Sequence, residues 1–314
     1  MLLEKIANFE NLCKAFDECS QGKRSKCGYR NFIFNYGEKL LSIEDELMQT
    51  GNYKWGTYRK FYVHDPKKRL VMAAPFRDRI VHTAMHRILE PQFDKTLGCR
   101  TFACRVGKGN RNAVVRLNKQ LKEMGKDRYC VKLDVSQYFA SIDHAVLYEN
   151  FTSYLSDKSI NPLVWSLLNS FPKYAQMGKG IPIGNLTSQL FANFYLSKLD
   201  QLATSRLGID FHEDLSETNC YIRYMDDMVI ISQRKADAIE TANALVDYAS
   251  TQLKLSIPNH KYVVLANDPV PFLGFLVNGE SCVPLRRNER KFVKKMNRLK
   301  RKGEEYSYRA QVLL

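Results

Sequence analysis

Ile222-Arg223-Tyr224-Met225-Asp226-Asp227-Met228-Val229-Ile230-Ile231 is the stretch on which the reading of the whole chain turns. Met228 to Ile231 is an unbroken apolar run with three β-branched residues, as expected of a strand buried on both faces. A second strand-like run leads into it, so Asp226 and Asp227 fall at the tip of a hairpin. Two adjacent acids at such a tip repel each other and lose hydration, a cost that a bound cation offsets. Mg²⁺ suits the place, because it takes hard oxygen ligands and is usually shared between one or two carboxylates and substrate phosphates. The plain alternative is a solvated β-turn, where Asp is common.

A second acid bears on that choice. Tyr129-Cys130-Val131-Lys132-Leu133-Asp134-Val135 alternates with period two, placing Tyr129, Val131, Leu133 and Val135 on one face and Cys130, Lys132 and Asp134 on the other. Asp134 therefore leaves the core at a strand end, ahead of an aromatic-rich turn through Tyr138 and Phe139. A lone strand-end Asp usually caps the next helix. Paired with the hairpin carboxylates, it supplies the acid from a second strand that a two-metal site requires.

The composition narrows the class of partner. With 314 residues, 45% of them hydrophobic, the chain can bury a substantial core. The formal charge of +15 and pI near 9.4 point to a polyanionic partner. Glu4 stands where a signal peptide needs apolar residues, and no stretch approaches the roughly 20 apolar residues of a membrane span, so a cytoplasmic protein is expected. Eight cysteines without a Cys-x-x-Cys pair indicate neither a zinc site nor a disulfide scaffold. His82 and His86 stand four apart on an expected helix, but no third ligand is evident nearby.

Taken in order, Ile6, Phe9, Leu12 and Phe16 recur at helical spacing within residues 1–50. Lys23, Arg24, Lys26 and Arg30 then interrupt with Tyr29 and Phe32 nearby, a mixture that suits either a nucleic-acid backbone or a solvated loop. Residues 53–72 read as a hairpin with Lys67, Lys68 and Arg69 near its turn, cations able to grip a triphosphate. Val81, Ala84, Met85, Ile88 and Leu89 share one helical face. Gly107-Lys108-Gly109 lacks P-loop spacing and reads as a turn.

Gly178 to Gln189 forms a Gly/Pro-rich loop entering a helix, where glycines allow either the close approach of a substrate or an ordinary turn. Phe272-Leu273-Gly274-Phe275 reads as a short strand. From Arg286 to Lys302 there are ten Lys/Arg and a single acid, Glu289. Arg287, Lys291, Lys294, Arg298 and Arg301 advance at helical spacing opposite Phe292, Met296 and Leu299, a cationic face expected to meet phosphates.

Asp134 with Phe139, Ile181-Pro182-Ile183-Gly184, Tyr224-Met225-Asp226-Asp227 and Phe272-Leu273-Gly274-Phe275 occur in the order of the motifs of reverse transcriptases. Within that superfamily the chain most closely resembles the enzymes of phage and bacterial diversity-generating retroelements. The residues carrying this finer likeness are Arg77-Asp78-Arg79-Ile80-Val81, Ala103 to Gly109, and Ile183 to Gln189.

The resemblance implies an α+β right-hand polymerase fold with fingers, an antiparallel-sheet palm backed by helices, and a short helical thumb. It divides the chain into a helical extension (1–60), fingers and palm (61–280) and a basic thumb (281–314) shorter than relatives carry. No ribonuclease H or endonuclease segment is recognisable. By the same resemblance Asp134, Asp226 and Asp227 are catalytic, and with the Val135 carbonyl they hold two Mg²⁺ ions. Arg69, Lys67, Ile183, Gly184 and Gln189 would contact the nucleotide, Lys261 would protonate the leaving group, and Phe139 would form a steric gate beneath the sugar. Phe139 as core packing is the alternative.

Arg287, Lys291, Lys294, Arg298, Arg301, Lys23 and Arg24 are expected on template RNA and primer or cDNA. The implied activity is RNA-directed DNA synthesis from deoxynucleoside triphosphates, error-prone at adenines, with a small basic helical accessory protein, multimeric in relatives, as partner. The enzyme of a retron, a group II intron or an antiphage system is the rival reading. A noncatalytic RNA-binding scaffold would fit the charge but leave three converging carboxylates without a purpose.

Overall fold

The computed structural model describes the chain except residues 52, 65–67, 126–127, 172–176, 214–217, 267, 287–288, 291–292, 295–296 and 298–314, and the side chains of 50 and 261. Four helices come first: Leu2–Ala7, Phe9–Ser20, Cys27–Ile33 and Tyr36–Thr50. Asn8 separates the first two, its side-chain oxygen accepting the N–H groups of Glu10 and Asn11 at the start of the second. Ile6, Leu12 and Phe16 are buried as their spacing predicts. They share one core with Val81, Ala84, Met85 and Leu89 of the helix Phe76–Asp94.

Between these helical parts stands a two-stranded hairpin, β1 (Arg59–His64) and β2 (Lys68–Ala73), with His64 opposite Lys68. Every residue of β1 is exposed, and Lys68 lies over the Tyr62 ring at 4.2 Å. Lys68 and Arg69 open β2; Lys67 lies outside the described residues.

The central sheet has the order β4-β5-β3-β6 and is antiparallel throughout. Its strands are β3 (Tyr129–Asp134), β4 (Asn219–Tyr224), β5 (Asp227–Ser232) and β6 (Tyr262–Ala266). β5 lies inside the sheet, and Met228 to Ile231 are fully buried, which accounts for the apolar run. Met228 and Ile230 face the large core, where the helices Leu186–Tyr195 and Lys235–Thr251 bury Phe191, Ala242 and Leu245. Val229 and Ile231 face a second core built with Val114, Leu117 and Leu121 of the helix Asn110–Met124.

That second layer covers part of the other face of β3. Cys130, which alternation puts on the face opposite Val131 and Leu133, is buried in the second core, and only Lys132 and Asp134 of its face stay half-exposed. Alternation separates the two faces of a strand; it does not say whether the second face is covered.

Three short strands complete the second layer: β7 (Val270–Phe272), β8 (Phe275–Val277) and β9 (Cys282–Pro284). Phe272-Leu273-Gly274-Phe275 is therefore a hairpin turn, not a strand. Leu273 (φ +47°) and Gly274 (φ +89°) take the left-handed conformations that a tight two-residue connection requires. The expected helix from 281 is likewise preceded by a strand, Cys282–Pro284 paired to β8.

This layer is clamped to the helix Asn110–Met124 at Gly279, whose N–H donates to the Asn118 side chain at 3.0 Å. Gly279 has φ +96°, and a Cβ there would stand 2.9 Å from the Lys122 nitrogen and 3.0 Å from the Leu121 carbonyl carbon. Gly279→Ala is accordingly expected to cost on the order of 1–3 kcal/mol, read as a lowered midpoint in urea unfolding. No helix among the described residues is long and apolar enough to cross a membrane.

Candidate active site

β3 ends at Asp134 and β5 begins at Asp227, and the register makes these two residues direct cross-strand partners. Such partners stand about 4.5–5.5 Å apart at Cα, so acids from separate stretches of chain meet at one end of the sheet, with Asp226 next to Asp227 in the turn. All three are half-buried. Like charges directly opposite destabilise a sheet, and here a cation intervenes. Lys132 Nζ lies 3.1 Å from Asp227 Oδ1 and donates to the Pro271 carbonyl at 2.8 Å.

Among the described residues, no three His, Cys, Asp or Glu side chains form a group that could hold a metal ion unaided. Carboxylates at adjoining strand ends are nevertheless the hard-oxygen donors of a site completed by substrate phosphates. The donor set fits a divalent cation on those terms. His82 belongs to no such site: Thr187 Oγ1 is 2.7 Å from its Nδ1 and the Tyr58 hydroxyl 3.3 Å from its Nε2. Burial pushes the His82 pKa down to about 3.

The turn itself is held from beneath. Tyr224 pairs with Asp227, leaving Met225 and Asp226 as a two-residue loop, and Met225 is left-handed at φ +54°. Arg223, fully buried, donates from Nη1 to the Met225 carbonyl at 3.1 Å and to Asn193 Oδ1 at 3.2 Å. Its Nε and Nη2 each donate to one oxygen of buried Asp200 at 2.6 Å. Tyr221 and Thr101 add their hydroxyls to the same carboxylate, each at 2.9 Å. Burial alone would lower the guanidinium pKa, but the charge and hydrogen bonds of Asp200 more than offset it and leave it above its ordinary value. Removing one partner of such a buried pair costs about 3–5 kcal/mol.

Sequence reasoning passed over Arg223, Asp200 and Asn193. The available signal was a cation at an interior position of the otherwise buried run Cys220-Tyr221-Ile222-Arg223.

A second set of expected residues is linked through the loop before the helix Leu186–Tyr195. Ile181 N donates to the Phe139 carbonyl at 2.8 Å and Met72 N to the Ile183 carbonyl at 3.1 Å. The loop before the helix Leu186–Tyr195 thus ties the segment after Asp134 to β2, the strand carrying Arg69. Gly184 is exposed at φ +125°, where a Cβ would sit 3.2 Å from Val71 Cγ1. Its glycine is demanded by backbone geometry and a close approach together. Phe139 is half-buried beside Tyr138, ring centroids 5.6 Å apart, and Gln189 is half-buried one turn into the helix.

Tyr262 pairs with Leu133, the residue before Asp134, and Lys261 is the residue before Tyr262. Lys23 and Arg24 sit in the turn between the helices Phe9–Ser20 and Cys27–Ile33. Lys294 is exposed; Arg287, Lys291, Arg298 and Arg301 lie outside the described residues.

A family model described as reverse transcriptase (RNA-dependent DNA polymerase) matches residues 63–277. The chain belongs to the reverse transcriptase family. The match takes in β2, the loop and both carboxylate-bearing strands, and the chemistry that goes with membership is RNA-directed DNA synthesis. This reverse transcriptase is 25% identical to Protein YkfC of Escherichia coli (strain K12) over 269 residues, 75% of this chain and 70% of YkfC. It is 25% identical over 229 residues to the group II intron-encoded protein LtrA of Lactococcus lactis subsp. cremoris, 69% of this chain but 37% of LtrA. Among solved structures, apo telomerase from Candida Tropicalis superposes with a TM-score of 0.55 at 11% identity, over 75% of this chain and 49% of that one. That last likeness is one of fold.

Proposed function

We propose that this reverse transcriptase copies an RNA template into error-prone cDNA for mutagenic retrohoming in a diversity-generating retroelement. Residues 61–280 serve as fingers and palm, with β1 and β2 in the fingers and the four-stranded sheet in the palm. Residues 281–314 serve as the thumb and 1–60 as a helical extension. The observation that carries the catalytic part is the register of Asp134 against Asp227 with Asp226 beside them.

Asp134, Asp226 and the Val135 carbonyl would hold Mg²⁺, with Asp227 secondary because Lys132 already engages it. Two such ions, when bound, supply charge stabilisation to the attacking 3′-hydroxyl and the departing pyrophosphate. The chain's own part is placement: Arg69 and Lys67 on the triphosphate, Phe139 beneath the sugar, Ile183, Gly184 and Gln189 along the base pair, Lys261 toward the leaving group. Lys23, Arg24 and the basic residues Arg287, Lys291, Lys294, Arg298 and Arg301 would take the template and primer backbones, and a small basic helical accessory protein would complete the particle.

The finer assignment is supported by Ile183, half-buried where accurate relatives are expected to carry a Gln. An aliphatic side chain makes no polar contact to the nascent pair, so discrimination between right and wrong transition states shrinks. A net hydrogen bond is worth about 0.5–1.5 kcal/mol, so Ile183→Gln is expected to lower misincorporation roughly 2- to 10-fold in sequenced cDNA. Likeness to LtrA over 69% of this chain favours a second reading, the enzyme of a group II intron.

Extension of a primed RNA followed by sequencing separates the two. Substitutions concentrated opposite template adenines support the retroelement, a low and uniform error rate supports the intron, and no incorporation of dNTPs refutes both.

A further inference from the structure

Arg223 heads the fully buried side chains of the described residues by volume. A guanidinium is costly to bury, and an apolar side chain of similar size would commonly serve stability as well or better. Its donors divide into two sets. Nε and Nη2 bind Asp200, which Tyr221 and Thr101 fix in turn, and Nη2 also donates to the Asn193 carbonyl at 3.3 Å. Nη1 is left to reach upward to the Met225 carbonyl and sideways to Asn193.

The origin of this reach is also fixed. Arg223 N donates to the Arg100 carbonyl at 3.1 Å, and Phe102 N donates to the Arg223 carbonyl at 3.0 Å, so β4 is pinned along its outer edge at this residue. What Nη1 holds is a non-glycine residue in the left-handed region, immediately before Asp226. Such a conformation persists only where its surroundings over-determine it.

We propose that Arg223 is a positioning residue for Asp226: locked by Asp200, it holds the Met225 carbonyl and so sets the backbone from which the ion-binding carboxylate leaves the turn. This rests on the polymerase reading above. A planar fork is required, because one group must satisfy a carboxylate and a carbonyl in different directions at once. Lysine in its place keeps the charge opposite Asp200 and loses the second reach.

The test uses the full chain with Arg223→Lys, and Gly279→Ala as a control that destabilises the fold through the helix Asn110–Met124 without touching Asp200, Arg223 or Met225. Three quantities are read: the melting midpoint, the affinity for Mn²⁺ in the presence of dATP without primer by electron paramagnetic resonance, and kcat and KM for dATP on a primed RNA. Arg223→Lys is expected to weaken Mn²⁺ binding severalfold and lower kcat on the order of 10- to 100-fold with KM for dATP little changed. Gly279→Ala is expected to melt earlier with parental kcat and Mn²⁺ affinity.

An Arg223→Lys protein that melts earlier yet binds Mn²⁺ and turns over like the parent overturns the proposal. So does a Gly279→Ala protein with the same kinetic defect, which would trace the loss to general destabilisation. Should Arg223→Lys fail to fold, Asn193→Ala leaves the ion pair whole, removes the neighbour that steadies Nη1, and is read by the same criteria. A parent chain that neither incorporates dATP nor binds Mn²⁺ refutes the polymerase reading; a lysine variant matching an active parent refutes the positioning role alone.

Discussion

Asp226→Ala is expected to abolish Mg²⁺-dependent incorporation of dNTPs on a primed RNA. The carboxylate stands in a two-residue turn at the sheet end where Asp134 and Asp227 are cross-strand partners. Divalent ions at such a site supply several kcal/mol of charge stabilisation, which at ~1.36 kcal/mol per decade is a loss on the order of 10³-fold or more when the principal donor is removed. Asp226 itself is half-exposed and, unlike its neighbour Met225, belongs to neither core, so the variant should unfold at the parental midpoint. Asp134→Ala should behave alike and Asp227→Ala more mildly, because Lys132 already takes part of the Asp227 charge. Full activity in Asp226→Ala, measured by single-nucleotide extension, would remove the basis for every role given to this end of the sheet.

Phe139→Ala is expected to raise ribonucleotide incorporation selectively. The ring is half-buried, its backbone carbonyl accepts from Ile181, and it adjoins the segment that begins at Asp134. A tight pocket discriminates a small added group by about 1–3 kcal/mol, so the preference for dATP over ATP should fall roughly 10- to 200-fold. The ring also packs on the edge of the large core. The measurement therefore has to be the ratio of kcat/KM for dATP and ATP, since a packing defect lowers both together. An unchanged ratio would assign Phe139 to packing alone.

The central hairpin was legible because an apolar run with β-branched residues can scarcely be anything but an interior strand, and the acids before it then have only one place to be. Helix spacing likewise located Ile6, Leu12 and Phe16 in the core they share with Val81 and Met85. Other features were hidden for physical reasons. The burial of Cys130 went unread because strand alternation carries no information about a layer added by residues far along the chain. Leu273 and Gly274 resisted reading because a leucine at φ +47° is not a signal any propensity supplies. The Arg223–Asp200 pair joins a strand to a helix. A buried cation announces that it needs a partner without saying which of the chain's acids will come.

The candidate site had the opposite character. Its residue types were visible at once, since Asp-Asp before a buried strand is chemically conspicuous. The lattice of backbone bonds that brings Phe139, Ile183 and β2 together was not, because Ile181 N to Phe139 O and Met72 N to Ile183 O involve no side chain at all.

The β5 strand is covered on both faces, whereas the β1 strand is exposed from end to end. These two regions should age differently over evolutionary time. In β5 a substitution has no free direction in which to relax, so only swaps of equal volume should survive there. The hairpin can accept new side chains at little cost to folding, and lineages serving different RNAs should diverge first along it while the catalytic strand stands still.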